Sequence, residues 1–166
     1  MRLVRPSLEW EKEHCTYKEE WGSTRMIPSC FNLDGFEDYE AYLEDLAKKE
    51  KGFGKWLPFS CYFLVNNENR VLGMLDIRHE LNDFLYRIGG NIGYSVRPSE
   101  RKKGYATFIL SKGLDKCREL GMEKILVTCD EDNFGSAKVI LNNGGVEDYS
   151  ETDSDGMVKR RFWINL

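Results

Sequence analysis

The sequence predicts an α/β fold: one domain, built on a central, mixed but mostly antiparallel twisted sheet with helices on its flanks. Three observations predict it. The chain has 166 residues, which suits one domain with one core. Apolar residues recur at helical spacing up to about Lys51, and the pattern then changes to short apolar runs broken by turn residues. From Asn91 onward, strand-like and helix-like stretches alternate before a last hairpin.

Leu3 and Val4 predict a short first strand ending at Pro6, and Ser7 a cap for a helix over Glu9 to Trp21. Gly22 to Gly35 holds Gly, Ser, Pro and Asn and reads as a loop. A second helix is expected from Phe36 to Lys51, with Phe36, Tyr39, Tyr42, Leu43 and Leu46 on one face. Acidic residues open it and lysines close it, both favourable to the helix dipole. Its aromatic stripe reads as core rather than as the wall of a pocket. Ser60 to Val65 and Val71 to Ile77 predict a hairpin around Asn66 to Asn69. Arg78 to Gly90 is an irregular connection, and Asn91 to Val96 is expected to be the central strand. A helix from about Thr107 to Leu120 follows, then a strand over Lys124 to Cys129 and a short helix from Phe134 to Asn142. Val146 to Tyr149 and Val158 to Ile164 form the last hairpin around Asp153 to Gly156. The final strand is expected at an exposed sheet edge, where a homodimer would pair.

Composition excludes several classes. Hydrophobic residues make up 41% and charged residues 31%, a globular balance rather than a disordered one. A net charge of -4 argues against general nucleic-acid binding through Arg97 to Lys103 or Lys159 to Arg161, and interleaved aromatics are missing there. It weakly favours a cationic partner such as a substrate amine. The five cysteines are odd in number and widely spaced, which points to reduced thiols and a cytoplasmic setting, with no disulfide framework. Two histidines and no Cys/His cluster argue against a metal site. No signal-peptide core opens the chain, and no apolar run is long enough to span a membrane.

The most informative stretch runs from Val96 to Ala106: Val-Arg-Pro-Ser-Glu-Arg-Lys-Lys-Gly-Tyr-Ala. A strand, a basic turn and a helix start in that order make an anion site, because the first N–H groups of a helix lack partners within it. Arg101, Lys102 and Lys103 add positive charge there, and Gly104 permits close approach to the backbone. A pyrophosphate is the expected ligand. Rival phosphate motifs fit worse. No G-x-x-x-x-G-K-[ST] occurs, and the glycines at 89, 90 and 93 precede a strand where a dinucleotide fingerprint follows one.

With Arg101-Lys102-Lys103-Gly104-Tyr105-Ala106 between strand and helix, and Asn133-x-x-Ser136 after the next strand, the chain resembles the GNAT N-acetyltransferase superfamily. The resemblance is specific from about Gly89 to Val146. It implies one acetyltransferase domain over residues 1–166, with helices at about 7–51 bounding the acceptor side and an acetyl-CoA core at about 89–146. It further implies that backbone groups at Ser95 and Val96 hold the pantetheine arm of acetyl-CoA and polarise the thioester. Amides from Lys102 through Gly104, Tyr105 and Ala106 to Thr107, beside Arg101 and Lys103, hold the pyrophosphate. Asn133 and Ser136 stand beside the arm, although both residue types also favour helix caps.

The resemblance implies acetyl transfer from acetyl-CoA to a primary amine, small or protein-borne, by direct attack in a ternary complex and without a metal. Two family positions are altered here. Gly90 stands where some members carry a base, and Ile140 where many carry a tyrosine acid. His79 is the first choice of base because its pKa lies near neutrality, with Asp76, Glu80, Asp130 and Glu131 as alternatives. Tyr94 is the first choice of acid, with Tyr105 and Tyr149 behind it. A non-catalytic acyl-CoA-binding module of the same fold is the alternative reading.

Overall fold

In the computed structural model, which describes residues 1–166, Arg2–Val4 (β1), Phe59–Val65 (β2), Val71–Arg78 (β3) and Ile92–Val96 (β4) form one antiparallel sheet in that order. A second sheet places Val158–Asn165 (β8) between Lys124–Asp130 (β5) on one side and the two short strands Val146–Glu147 (β6) and Glu151–Thr152 (β7) on the other. Four α-helices complete the fold: Glu11–Trp21 (α1), Tyr39–Glu50 (α2), Tyr105–Glu119 (α3) and Phe134–Asn142 (α4). No helix is long and apolar enough to cross a membrane.

The class is as the sequence predicts, but two expectations change. β4 ends the first sheet rather than lying at the centre of a continuous one. β8, expected at an exposed edge, is paired on both sides, so the predicted edge for a homodimer does not exist there.

Strand alternation sorts the core into two layers. Leu75 and Ile77 of β3 and Ile92 of β4 face Ile109, Leu110 and Leu114 of α3. Phe63 and Met74 face the opposite way, toward Tyr17 of α1 and Tyr42 and Leu46 of α2. Each such side chain, fully buried, contributes about 1.5–3 kcal/mol. The helical stripe on α2 is core, as its spacing predicts, with Tyr39, Tyr42 and Leu46 buried. Its start differs: Asp38 has extended backbone, and its carboxylate accepts the Ala41 N–H at 2.8 Å. That cap begins the helix at Tyr39 and leaves Phe36 outside it, packed edge-on against Tyr42.

The two sheets are joined at one point. The buried Asn91 donates its backbone N–H to Leu126 O (2.7 Å) and accepts the Leu126 N–H through Oδ1 (2.9 Å). Its Nδ2 reaches back to Arg78 O at 3.1 Å. Gly90 fits against the same place: its φ is +67°, and a Cβ would lie 2.7 Å from Leu126 O. α3 connects β4 to β5, and beyond Asn91 no ladder joins these two strands.

Candidate active site

The opening between β4 and β5 has polar walls, and the hydrogen-bond register shows which groups line it. Arg97 N–H bonds Leu72 O, and Arg78 N–H bonds Asn91 O. In an antiparallel ladder the bonded pairs alternate, so residues 93, 95 and 97 turn their backbone groups toward β3, as does the carbonyl of Asn91, whose N–H instead reaches Leu126 on β5. The N–H and C=O groups of Ile92, Tyr94 and Val96 therefore face the opening. Val96, expected from the sequence at the pantetheine arm, turns its backbone groups to this opening. Ser95 is not: its amide belongs to the β3 ladder, and its hydroxyl bonds the buried Tyr17 Oη at 2.8 Å on the opposite face.

At the end of β4 the chain turns through Arg101, Lys102, Lys103 and Gly104 into α3. Lys102 and Gly104 both adopt left-handed backbone, with φ of 63° and 84°. Such turns aim neighbouring amides to a common side. The first turn of α3 is closed by Phe108 N–H on Gly104 O (3.2 Å), so the amides of Gly104, Tyr105, Ala106 and Thr107 lack partners within the helix. Around Gly104 the space is open: an added Cβ would meet nothing within 4 Å.

The basic side chains of this run differ in role. Arg97 is buried and anchors α1, donating to Glu20 (2.6 Å), Glu13 (2.9 Å) and Thr16 (2.9 Å). Arg101 lies over the Trp21 ring at 4.9 Å and reaches Val96 O at 3.4 Å. Lys103 pairs with Glu100 at 2.8 Å. In the second basic run, Arg160 is held by Glu147 and Lys159 by Asp130, so neither run presents a free basic stripe.

On the α3–α4 side of the opening, Tyr94 Oη and Ser136 Oγ share a hydrogen bond of 2.7 Å. Burial pushes the Tyr94 phenol up to about 12, against a smaller opposing effect of that bond, so it keeps its proton at neutral pH. Ser136 stands one helical turn before Ile140, which is buried in the core. Asn133 caps α4, with Oδ1 accepting the Ser136 N–H at 3.0 Å.

His79 is not in this group. Its Nε2 bonds Ser60 Oγ at 2.9 Å, and Ser60 lies on β2, which β3 separates from β4. The ring is thus turned to the far side of the sheet from the opening. Burial also lowers its pKa, with nearby Glu50 and Glu80 opposing, which weakens it further as a base. Asp76, one of the alternatives, is closer. Its carboxylate accepts Gly93 N–H at 2.8 Å and pairs with Arg78 at 2.9 Å. Burial raises its pKa while Arg78 and the Gly93 amide oppose this. With both oxygens engaged, Asp76 fixes β4 and Arg78 in position. Asp130 is drawn to Lys159.

Sequence reasoning missed Asn91 and Tyr17. Asn91 was visible only as a polar residue at the start of an apolar strand, and Tyr17 as one aromatic of a mixed helix.

The sequence matches the acetyltransferase (GNAT) domain family over residues 4–146. The chain belongs to the GNAT acetyltransferase family. Solved structures share the fold across nearly the whole GNAT domain. A SpeG spermidine N-acetyltransferase chimera from Vibrio cholerae and hSSAT has a TM-score of 0.68 at 14% identity, covering 99% of this chain and 96% of that one. A putative ribosomal-protein-serine acetyltransferase from Vibrio cholerae gives 0.66 at 12% identity, covering 99% and 92%. The microcin C7 self-immunity acetyltransferase MccE, in complex with acetyl-CoA and AMP, gives 0.67 at 14% identity, covering 99% and 91%. No curated protein sequence matches this GNAT chain at a significant level.

Proposed function

We propose that this GNAT domain transfers an acetyl group from acetyl-CoA to a primary amine by direct attack in a ternary complex. The observation that carries the reading is the parting of β4 from β5, which exposes a strand edge leading to the unpartnered amides at the start of α3. An extended amide-bearing arm fits the edge, and a pyrophosphate fits the helix start. The donors Gly104 to Thr107 would hold the pyrophosphate, and Asn133 would meet the arm from α4.

The chemistry follows from the same walls. The outward N–H groups of Tyr94 and Val96 would stabilise charge growing on the thioester oxygen. Holding the amine beside the thioester carbon supplies acceleration by proximity. The nitrogen–carbon bond forms, the carbon–sulfur bond breaks, and the proton shed by the amine nitrogen passes through water to replace the one that Tyr94 gives to the sulfur. Tyr94 would give its phenolic proton to the departing sulfur, reaching from β4 toward the helix whose own acid position is Ile140. This relocation answers the altered family position, and acetyl-CoA is the only cosubstrate required.

Calorimetric titration with acetyl-CoA, followed by thiol detection against a panel of amines, tests the reading. Binding with acceptor-dependent thiol release is the expected result. The packing of Gly90 against Leu126, which leaves no room for a carboxylate there, supports a second reading as a non-catalytic acyl-CoA-binding module. Binding without release from any amine would favour that second reading over catalysis on the amines tested, and absence of binding would overturn both.

A further inference from the structure

Arg161 is the most deeply buried charge in the protein that no partner accounts for. It is fully buried, and Nε, Nη1 and Nη2 all lack hydrogen bonds. Its nearest carboxylate oxygen, on Asp148, is 3.9 Å from Nη1 and already accepts the Trp163 Nε1–H at 3.1 Å. The guanidinium carbon instead lies 4.1 Å from the centre of the Tyr149 ring and 5.0 Å from that of Tyr86. Contacts with ring faces recover less than an unpaired buried guanidinium loses on leaving water. Five N–H donors in a planar fork match a carboxylate, and equally a phosphate, by a two-point hydrogen bond.

Its place in the fold gives this charge a use. Arg161 is registered opposite Thr128 of β5, two residues from the Asn91–Leu126 junction and on the strand next to the open edge. The Thr128 hydroxyl donates to Ile88 O at 2.7 Å, so the turn of Leu85–Gly89 lies over this face and leads directly into β4. The two tyrosines are its cover, each about half exposed, and an Arg87–Glu151 pair at 2.9 Å ties the turn to β7 above it.

Resting on the acetyltransferase reading above, we propose that Arg161 recognises a carboxylate of the acceptor, so that the substrate class is an amine bearing an acidic group. The carboxylate enters by parting Tyr86 and Tyr149 and takes the guanidinium in a two-point hydrogen bond. The amine of the same molecule is then held toward the opening between β4 and β5.

The test pairs matched acceptors. Glycine, β-alanine and 4-aminobutyrate are compared with their carboxamides, with O-phosphoethanolamine and with spermidine, by thiol release from acetyl-CoA. At least one carboxylate should show kcat/KM tenfold or more above its carboxamide, carried mainly by KM. Arg161→Met should erase that preference while acetyl-CoA affinity stays unchanged, and Arg161→Lys should restore part of it. Equal use of carboxamides, a preference for spermidine or for the phosphate amine, or a uniform loss on all acceptors in the Met variant would overturn the proposal.

A second measurement on the unaltered chain separates it from the acetyltransferase reading. The side-chain Nε–H resonance of Arg161 should shift with N-acetylglycine or N-acetyl-β-alanine and not with the matching amides. A resonance that moves with none of them overturns the carboxylate site even if amines are acetylated. If it moves although no amine is turned over, the anion site stands and the catalytic reading fails.

Discussion

Gly104 separates two demands that a turn proposed to hold a cofactor places on one residue, backbone conformation and room. Its φ of +84° is strained for any other residue at a cost of about 1 kcal/mol, whereas the space around it is empty. A bulky replacement therefore leaves the fold nearly intact and acts on the ligand. Gly104→Glu should weaken acetyl-CoA binding by roughly a hundredfold, about 2.7 kcal/mol, by placing a carboxylate where the amides converge. Calorimetry on the folded variant checks this, and undiminished affinity would remove the turn from the site. Tyr94 is expected to act on rate rather than affinity. Tyr94→Phe should lower kcat by about a hundredfold with little change in the KM for acetyl-CoA, the size typical of a lost general acid. Since its phenol titrates at about 12, the unaltered protein should show no alkaline loss from this group between pH 7 and 10. His79→Ala should leave the pH–rate profile between pH 6 and 8 in place, because the ring is bonded to Ser60 on the far side of β3. A profile that moves in that variant would return His79 to the mechanism.

Among the elements, the β4–β5 junction carries the sharpest expectation. Asn91→Leu removes one donor and one acceptor from buried backbone groups of Arg78 and Leu126 and replaces them with apolar bulk. The expected cost is about 2–4 kcal/mol, from two buried groups left unpaired. Denaturant unfolding measures it, and a loss below about 1 kcal/mol would show that the sheets are held together elsewhere. The same junction marks where the sequence stops being legible. The turn into α3 could be read because its signals are local: strand, basic run, Gly104, helix. The hairpin of β2 and β3 was equally plain from alternation and turn residues. By contrast, the parting of the sheets depends on bonds between Asn91 and a residue 35 positions away, and nothing in the local pattern distinguishes that from a continuous sheet. The start of α2 failed for a different reason. Phe36 continues the apolar period, but the carboxylate of Asp38 competes for the helix's first amides and sets the boundary.

At the level of the whole molecule, the α1–α2 side is locked together by one neutral histidine. His14 donates Nε2–H to Phe31 O at 2.8 Å and accepts the Tyr39 hydroxyl at Nδ1 (3.0 Å), joining α1, the loop after it and α2. Burial lowers its pKa to about 4. The neutral form is therefore the folded form. The unfolded chain binds the proton first, near pH 6.5, so stability is complete above that pH and falls as pH drops toward 4. The loss amounts to about 3 kcal/mol. Thermal melts at pH 7 and pH 4.5 should differ accordingly, and His14→Gln should flatten that part of the dependence. This arrangement was not legible either, since His14 reads in sequence as one polar position of a mixed helix.

The helix that His14 secures also braces the anion turn. Glu20 of α1 holds both Arg97 and the Ser99 amide (3.1 Å), Trp21 lies under Arg101, and Tyr17 holds Ser95. On the proposed function, this one helix would touch both the expected acceptor side and the turn that would hold the cofactor. Any free energy that an acceptor spent or gained in adjusting α1 would then be felt at the proposed pyrophosphate site. By thermodynamic necessity, the factor by which an acceptor changes acetyl-CoA affinity equals the factor by which acetyl-CoA changes acceptor affinity. On the proposed function the two ligands would form a linked pair, and a double titration would read the strength of the link from either end.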